Sequence, residues 1–289
     1  MNSLILGVDA GNHKSKIAGI YGVDSYKTNI CGWFERDVEE TFGEDDMEFE
    51  IGNRKGFAGS IAEVEDEFGN GTTYGDTKAH EDTKIRVLLG IHRYIKMYCP
   101  TVKNISLVTG QPINNHKERE KTKIIKMLKG QHEFTVNGIY RNIYIQDVLV
   151  APEGSSAIWS ITAPKTPIVR VIDLGSGTIN FGTLENKKHV HKSSGTMNTG
   201  IETLKNKSDF ASLARAVFQF ATKLKWGKND TILVCGGVAE LIVPYLKEYF
   251  SCIEAIQPQL RRELDILSVK PVYANAVAFY NLAKWKFSQ

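Results

Sequence analysis

A short apolar run that ends at an acidic residue opens the chain. Leu4-Ile5-Leu6-Gly7-Val8-Asp9 predicts a buried strand that stops at a tight turn. Two further strands are predicted at Lys16–Tyr21 and Tyr26–Trp33, and the few residues between them favour a hairpin. The first half therefore begins with a strand, an acidic turn and antiparallel strands.

Helical and strand patterns then alternate as far as residue 160. Apolar residues at helical spacing indicate helices, and Asn137-Gly138 is typical of a hairpin turn. The predicted elements are helix Asp82–Met97, strand Asn104–Thr109, helix Lys117–Leu128, strands Glu133–Asn137 and Tyr140–Gln146, and a helix over 153–160.

The opening pattern returns after Pro164 and Pro167, where a second apolar strand ends at an acid and glycines. The elements predicted after this break are strands Ile168–Asp173, Thr178–Leu184 and Lys188–Ser193, helix Phe210–Lys225, strand Thr231–Cys235, and helices Val238–Phe250 and Tyr273–Lys286. The repetition and the length of 289 residues together predict two domains.

Residues 35–50 are strongly acidic, with nine acids and one arginine, and glycine-rich stretches follow at 52–59 and 69–75. Burying so many carboxylates carries a heavy desolvation penalty. We therefore expect residues from about 35 to 80 to form a small, irregular surface insertion. A solvated face is the simplest interpretation, and a contact with a partner is the alternative.

The composition argues against several classes of protein. Apolar residues make up 42% of the chain and charged residues 24%, as in an ordinary globular protein, and the net charge of +3 is too small to indicate direct DNA binding. No run approaches the roughly 18 apolar residues of a membrane helix. The first residues lack the features of a signal peptide, and the four scattered cysteines show no metal-ligand spacing, so we expect a cytoplasmic protein with reduced thiols.

Two loops contain the residue types that hold phosphate: Asp9-Ala10-Gly11-Asn12-His13-Lys14-Ser15-Lys16 and Asp173-Leu174-Gly175-Ser176-Gly177-Thr178. Their glycines let backbone N–H groups approach an anion, and Lys16 adds a positive charge. Asp9 and Asp173 would repel phosphate, which indicates an intervening Mg²⁺ held through water. Either loop alone is usually a simple turn, whereas the pair in repeated strand contexts indicates a triphosphate held from both sides.

A third loop, Gly236-Gly237, follows the predicted strand Thr231–Cys235. A buried strand that ends in two glycines before a helix lets a flat ring or a ribose approach the backbone. In isolation, such a sequence is more often an ordinary strand-to-helix turn.

Together the three loops resemble the two phosphate motifs and the adenosine motif of the actin, sugar-kinase and heat-shock-chaperone ATPase superfamily. Their order spans nearly the whole chain, and the helices predicted over 153–160 and 273–286 occupy the places of the superfamily's two connecting helices. The resemblance implies an α/β, two-domain actin-like (ribonuclease H-like) fold. The first domain would comprise residues 1–160 and 271–289, with the insertion at about 35–80, and a shortened second domain would comprise residues 161–270.

The resemblance also implies a nucleotide site for ATP, with GTP left open, and for Mg²⁺. Asp9 and Asp173 would hold the metal through water, and the segment after the third strand of the second half would close around the ribose and base. The implied nucleotide-binding residues are Asp9, Gly11, Asn12, His13, Lys16, Gly175, Ser176, Gly177, Thr178, Gly200, Glu202, Gly236 and Gly237.

Glu153 indicates the branch of the superfamily. Pro152-Glu153-Gly154-Ser155 resembles the Pro-Glu-Ser of plasmid-segregation actins of the ParM type, in which the glutamate positions the attacking water. Glu153 and Asp173 are the catalytic residues that this resemblance implies. The alternative for Glu153 is an acid favoured by a helix N-terminus.

The short interval between Asp173 and Gly236 is nearly filled by the predicted elements. It resembles the AlfA type of plasmid-partitioning actin, which lacks the outer subdomain of its second half. The resemblance implies a bacterial, Mg-dependent ATPase that polymerises on ATP binding and segregates plasmid DNA through a DNA-binding adaptor on a plasmid centromere. A small-molecule kinase, such as a sugar or pantothenate kinase, and a non-catalytic nucleotide-binding regulator are the alternatives.

Overall fold

The computed structural model describes residues 3–36, 42–65, 77–162 and 166–288. These residues form seventeen strands and six α-helices, joined in places by short 3-10 turns. The strands are β1 (Leu4–Ala10), β2 (Lys14–Gly19), β3 (Gly22–Lys27), β4 (Ile30–Gly32), β5 (Met47–Ile51), β6 (Arg54–Ala58), β7 (Asn104–Gln111), β8 (Gly130–Val136), β9 (Ile139–Pro152), β10 (Ile168–Leu174), β11 (Ile179–Glu185), β12 (Lys188–His189), β13 (Gly195–Met197), β14 (Thr231–Gly236), β15 (Ile253–Ala255), β16 (Gln259–Arg261) and β17 (Ile266–Ser268). The helices are α1 (Ser60–Glu65), α2 (Glu81–Tyr98), α3 (Glu118–Leu128), α4 (Phe210–Lys223), α5 (Ala239–Leu246) and α6 (Ala274–Phe287).

Nine strands form the larger sheet, in the order β3-β2-β1-β7-β9-β8-β5-β6-β4. At its centre, β1 is antiparallel to β2 and parallel to β7, and β7 is parallel to β9. Both faces of this centre are covered, since Leu6 packs in one core with Leu88 of α2, whereas Val108 packs in another with Phe279 of α6. Coverage on both faces explains why these central strands read as nearly continuous apolar runs.

The second sheet repeats the start of the first, as the sequence predicts. Its order is β12-β11-β10-β14-β15, with β13 paired to β11. β10 is antiparallel to β11 and parallel to β14, as β1 is to β2 and β7. Asp9 lies opposite Lys16 in the first sheet, and Asp173 lies opposite Asn180 in the second. The two acids therefore occupy equivalent positions at the carboxyl ends of central strands, where ligands bind in open α/β sheets.

Helix α6 packs closely against β1 because both elements carry small residues at the contact. A Cβ on Gly7 would lie 2.1 Å from the carbonyl oxygen of Ala276, so only glycine permits this approach. Helix α6 also contacts the 3-10 turn Ser155–Ser160. The last helix therefore joins the large sheet to the segment that follows β9.

Two sequence-predicted boundaries near the N-terminus are wrong. β2 turns into β3 at Ile20 and Tyr21, and the strand predicted at Tyr26–Trp33 is interrupted between β3 and β4. The turn residues are apolar, so hydrophobic patterning extends the strands through them. Gly19 and Gly22 flank the turn, and a Cβ on Gly19 would lie 2.5 Å from the Tyr94 hydroxyl, so glycine lets α2 approach the end of β2 closely.

The helix predicted over 153–160 is also wrong. β9 extends to Pro152, and Ser155–Ser160 forms a 3-10 turn after Gly154, whose φ is +71°. The strand predicted at Lys188–Ser193 is similarly limited to β12, after which the chain forms a 3-10 turn. Both errors arise where a 3-10 turn follows a strand.

The acidic segment does not form the irregular surface insertion that its charge predicts. β5 and β6 extend the nine-stranded sheet through β8. Met47, Phe49 and Ile51 are buried, whereas the intervening Glu48 and Glu50 are more exposed. The alternation of apolar and acidic residues, rather than the density of charge, decides that this segment forms a strand, because a strand buries one face and leaves the other solvated. Residues 37–41 and 66–76 of this region lie outside the described residues.

The second half is short, in agreement with the interval between its two loops. Between β13 and β14, all of which is described, the chain adds only the 3-10 turn Ile201–Thr203 and helix α4. The domain boundaries at about 160 and 271 remain predictions. Among the described residues, no helix combines the length and hydropathy needed to cross a membrane.

Replacement of Phe49 by alanine tests whether β5 belongs to the core. Phe49 is 1% exposed, so the substitution is expected to lower the free energy of unfolding by about 3–5 kcal/mol. Glu50→Ala, on the exposed face of the same strand, is the matched control and is expected to change it by less than about 0.5 kcal/mol. Urea denaturation measures both, and equal small effects would contradict the assignment of β5 to the core.

His92 on α2 predicts a loss of stability in acid. Burial, together with the charges of Arg141 and other cations, lowers its pKa to about 4. The unfolded chain therefore binds a proton more readily, and stability falls as the pH drops below about 6.5. Between pH 7.5 and 5, His92→Gln is expected to lose about 2 kcal/mol less stability than the wild type, measured by denaturation at each pH. If the free energies of unfolding of the two proteins fall in parallel with pH, His92 is not the source of the loss.

Candidate functional site

A cleft of about 390 Å³ lies at the carboxyl ends of β1, β10 and β14. Every residue assigned to a site from the sequence lines this cleft except Gly200. The lining residues of this set are Asp9, Gly11, Asn12, His13, Lys16, Glu153, Asp173, Gly175, Ser176, Gly177, Thr178, Glu202, Gly236 and Gly237. Three loops that are far apart in the sequence therefore meet at one place.

Asp9, at the end of β1, is buried between two lysines. Its Oδ2 atom lies 3.5 Å from Lys16 Nζ, and its Oδ1 atom lies 3.4 Å from Lys78 Nζ. Burial opposes ionisation, but the two ammonium groups outweigh it and lower the pKa of Asp9. Asp9 is therefore a carboxylate with its charge already compensated.

Glu153 shares Lys78 with Asp9. The Lys78 ammonium forms an ion pair with Glu153 Oε1, and both side chains are buried. Burial raises the pKa of Glu153 to about 7, against the opposing effect of Lys78 and with the further contribution of the Asp9 charge. Because Glu153 precedes a 3-10 turn rather than an α-helix, its interpretation as a helix-terminal acid is not supported. Gly110 leaves room for its side chain, since a Cβ there would lie 2.8 Å from Glu153 Cγ.

Asp173, at the end of β10, is held by amides instead of lysines. Asn275 Nδ2 donates to its Oδ2 atom at 3.0 Å, and Asn180 Nδ2 approaches the same atom at 3.5 Å. Asn275 also accepts a hydrogen bond from the Gly154 backbone N–H at 3.2 Å. Burial and the nearby Asp9 charge raise the pKa of Asp173. One α6 side chain therefore joins the Glu153 segment to the acid of the second sheet.

The first loop is held by contacts within it and from outside it. The Gly11 N–H donates to the Asp9 carbonyl at 3.0 Å, and the Thr28 hydroxyl donates to the Gly11 carbonyl at 3.0 Å. Asn12 accepts a hydrogen bond from Arg86 Nη1 at 2.7 Å. These contacts give the loop a fixed shape within the cleft.

The second loop is supported from below by Gly200. A Cβ on Gly200 would lie 2.2 Å from the Ser176 carbonyl oxygen, so Gly200 packs against the loop and does not line the cleft. The next turn is anchored by the Glu202 N–H, which donates to the Ser176 carbonyl at 2.9 Å. The Glu202 carboxylate faces the first loop, 4.0 Å from His13 Nε2, and also pairs with Lys207.

Gly236 and Gly237 have different roles in the third loop. Gly236 has a φ of +104°, and a Cβ there would lie 2.2 Å from the Leu174 carbonyl oxygen. Gly237 is exposed, and no heavy atom lies within 4 Å of the position of a Cβ. Gly236 therefore lets β14 end directly beside the second phosphate loop.

Three residues that organise the cleft were not predicted from the sequence: Lys78, Gln111 and Asn275. Lys78 fell within the segment interpreted as surface, and Asn275 is a polar residue in the otherwise apolar first half of α6. Gln111, the last residue of β7, is fully buried and accepts a hydrogen bond from the Lys78 N–H at 2.8 Å. A polar residue isolated in an apolar stretch is the signal that would have identified Asn275.

Comparison with known proteins identifies the family. Residues 7–155, just over half of the chain, match the family model for the N-terminal domain of actin-like proteins. The chain belongs to the actin-like protein family. A comparison with curated protein sequences gave no match.

Solved structures extend the likeness over the whole chain. The filament structure of AlfA from the B. subtilis plasmid pLS32 has a TM-score of 0.78 at 18% identity and covers 96% of this chain and 97% of AlfA. An AlfA filament bound to AMPPNP has a TM-score of 0.76 at 19% identity, covering 99% and 97%. A 15-stranded ParM filament from Clostridium botulinum has a TM-score of 0.76 at 17% identity, covering 99% and 100%. The predicted actin-like fold is confirmed.

The different surroundings of the two glycines in the third loop give a matched pair of substitutions. Gly236→Ala is expected to lower the free energy of unfolding by at least about 2 kcal/mol, because an alanine is strained at positive φ and its Cβ meets backbone. Gly237→Ala is expected to change it by less than about 0.5 kcal/mol. Urea denaturation of both variants measures the two changes in the free energy of unfolding. Similar losses would contradict the different surroundings of Gly236 and Gly237.

Proposed function

We propose that this actin-like protein binds a nucleoside triphosphate with Mg²⁺ in the cleft, hydrolyses it, and assembles into filaments that segregate plasmid DNA in the bacterial cytoplasm. The observation that carries the proposal is the convergence of the two acidic glycine loops, Gly236 and Glu153 on one cleft. A kinase or a passive nucleotide-binding regulator would share the loops. Glu153, buried where the loops meet, favours hydrolysis.

The residues present fit Mg²⁺ bound mainly through water and phosphate. The described residues bring no three metal-ligating side chains together, whereas Asp9 and Asp173 both line the cleft. Mg²⁺ suits such a site, because it retains several waters and usually takes one or two carboxylates together with substrate phosphates. The raised pKa of Asp173 indicates an acid that an added cation would stabilise in its charged form. When bound, Mg²⁺ would neutralise charge on the phosphates.

Backbone N–H groups of the two phosphate loops are the proposed ligands of the phosphate chain. Gly11 and Gly175 let the main chain turn tightly, since a Cβ would lie 2.4 Å and 2.7 Å from the carbonyls of Lys14 and Thr178. Lys16, beside Asp9, adds a positive charge toward the same space. The Gly236 loop and Glu202 would border the ribose and base, for which ATP is expected and GTP remains the alternative.

Glu153 is the proposed group that orients the attacking water. Its pKa of about 7 leaves a large ionised fraction at neutral pH, which suits a carboxylate that accepts a proton from water. The ion pair with Lys78 fixes the carboxylate within the cleft. Asp173 would act with it by holding the metal.

Filament assembly is supported by the likeness to AlfA and ParM filaments. The proposed partner on DNA is an adaptor protein bound to a plasmid centromere, because a net charge of +3 gives the chain little attraction for DNA of its own. Right-angle light scattering and phosphate release, measured together with Mg²⁺ and ATP, GTP or no nucleotide, test this part. A flat scattering trace at high protein concentration would contradict assembly, and phosphate transfer only to an added acceptor would favour a kinase.

Glu153→Gln separates hydrolysis from binding. The substitution keeps the size of the side chain and removes its basicity, so phosphate release is expected to fall about 10²- to 10⁴-fold. Binding of AMPPNP, measured by calorimetry, is expected to change by less than about threefold, since the lost group acts on water. Glu248→Gln, at an exposed position, is the control. Undiminished phosphate release in Glu153→Gln would remove Glu153 from the reaction.

A further inference from the structure

We infer that Lys78 recognises the terminal phosphate: its ammonium bridges Asp9 and Glu153 and directs a remaining N–H donor to the γ-phosphate of a bound nucleoside triphosphate. The inference rests on the proposed function and adds a residue that lies outside the two phosphate loops. It makes Lys78 the group by which the cleft distinguishes a triphosphate from a diphosphate.

The position of Lys78 is unusual for a lysine. The residue is 7% exposed, although lysine is rarely buried without a partner. Its Nζ atom lies 3.4 Å from Asp9 Oδ1 and pairs with Glu153 Oε1. The same side chain lines the cleft. A buried cation is thus placed between the acid of the first phosphate loop and the proposed water-orienting acid.

The backbone of Lys78 is fixed independently of its charge. Its N–H donates to Gln111 Oε1 at 2.8 Å, and Gln111 Nε2 donates to the Thr77 hydroxyl at 3.0 Å. The Thr77 hydroxyl in turn donates to Glu120 Oε2 at 2.8 Å. Gln111 is fully buried at the end of β7. The ammonium is therefore presented from an anchored segment.

The number of donors on lysine leaves one available for a ligand. An ammonium group has three N–H donors, and within the described residues its contacts to Asp9 and Glu153 engage at most two of them. A terminal phosphate placed for attack by a water on Glu153 must lie close to that carboxylate, and hence close to Lys78. Lys78 can contact such a phosphate while it keeps both ion pairs.

The charge balance of the cleft favours the same arrangement. A γ-phosphate beside Glu153 brings two anionic groups together, which is unfavourable unless a cation separates them. Lys78 already lies against that carboxylate, whereas Lys16 pairs with Asp9 on its other oxygen. ADP has no γ-phosphate, so its binding should depend less on Lys78.

Lys78→Met, which keeps the length of the side chain and removes its charge, tests the inference. Affinities for Mg-AMPPNP and Mg-ADP are measured by calorimetry on the full chain. Loss of a charged hydrogen bond is expected to weaken AMPPNP binding about ten- to hundredfold, with a change of less than about threefold for ADP. Lys96→Met, at an exposed position in the last turn of α2, is the matched control and is expected to leave both affinities unchanged.

A second pair of variants covers the case in which Lys78→Met does not fold, because that substitution leaves Glu153 buried without its counter-ion. Glu153→Gln and the double variant Lys78→Met/Glu153→Gln differ only in Lys78, and neither contains the unpaired carboxylate. The ratio of ADP to AMPPNP dissociation constants is expected to fall about tenfold or more between them.

The outcomes separate this inference from the proposed function. A lower ratio on loss of Lys78 supports the inference. If the wild type binds both nucleotides and the ratio is unchanged in these pairs, Lys78 only supports the structure and the inference is overturned, while the proposed function stands. If the wild type binds neither nucleotide, both are overturned.

Discussion

The burial of three carboxylates around one cleft constrains the rest of the structure. Asp9, Glu153 and Asp173 are each less than a tenth exposed. Bringing like charges together away from water is unfavourable unless cations or hydrogen-bond donors face them. Lys78 provides a cation to two of the acids, and Asn275 provides an amide to the third. Lys78 lies in the outer segment before α2, Asn275 lies on α6, and Asp9 lies on β1 of the large sheet. The site therefore exists only when all three parts are in place.

The repeated topology explains why the two loop acids have different electrostatics. Asp9 and Asp173 occupy equivalent positions on β1 and β10, but the residue opposite is Lys16 in one sheet and Asn180 in the other. A lysine compensates charge, whereas an amide only donates a hydrogen bond. Burial opposes ionisation of both acids, but Lys16 and Lys78 lower the pKa of Asp9, whereas burial and the Asp9 charge raise that of Asp173. A bound divalent cation would therefore contribute most beside Asp173, where the chain supplies no lysine in this register.

Sequence patterns predicted the elements that repeat and missed those that depend on distant partners. The apolar strands ending at Asp9 and Asp173 are visible because burial on both faces requires continuous apolar residues. The strand Met47–Ile51 was missed because acidic residues dominate the composition of this region. The alternation of buried apolar and more exposed acidic residues is what defines the strand. Lys78 was missed for a different reason. Its role depends on acids 69 and 75 positions away in the chain, and no local pattern reports such contacts.

The segment that carries Lys78 also connects the cleft to the acidic segment. Lys78 is followed within a few residues by α2, whose Asp82 pairs with Arg54 of β6. Farther along α2, Arg93 donates to Asp24 Oδ2 at 2.7 Å and to the Glu44 carbonyl at 2.7 Å. These buried or half-buried pairs fasten one helix to the hairpin beside the first phosphate loop and to the acidic segment. The segment that carries Lys78 therefore enters a helix whose position is already fixed by these other pairs.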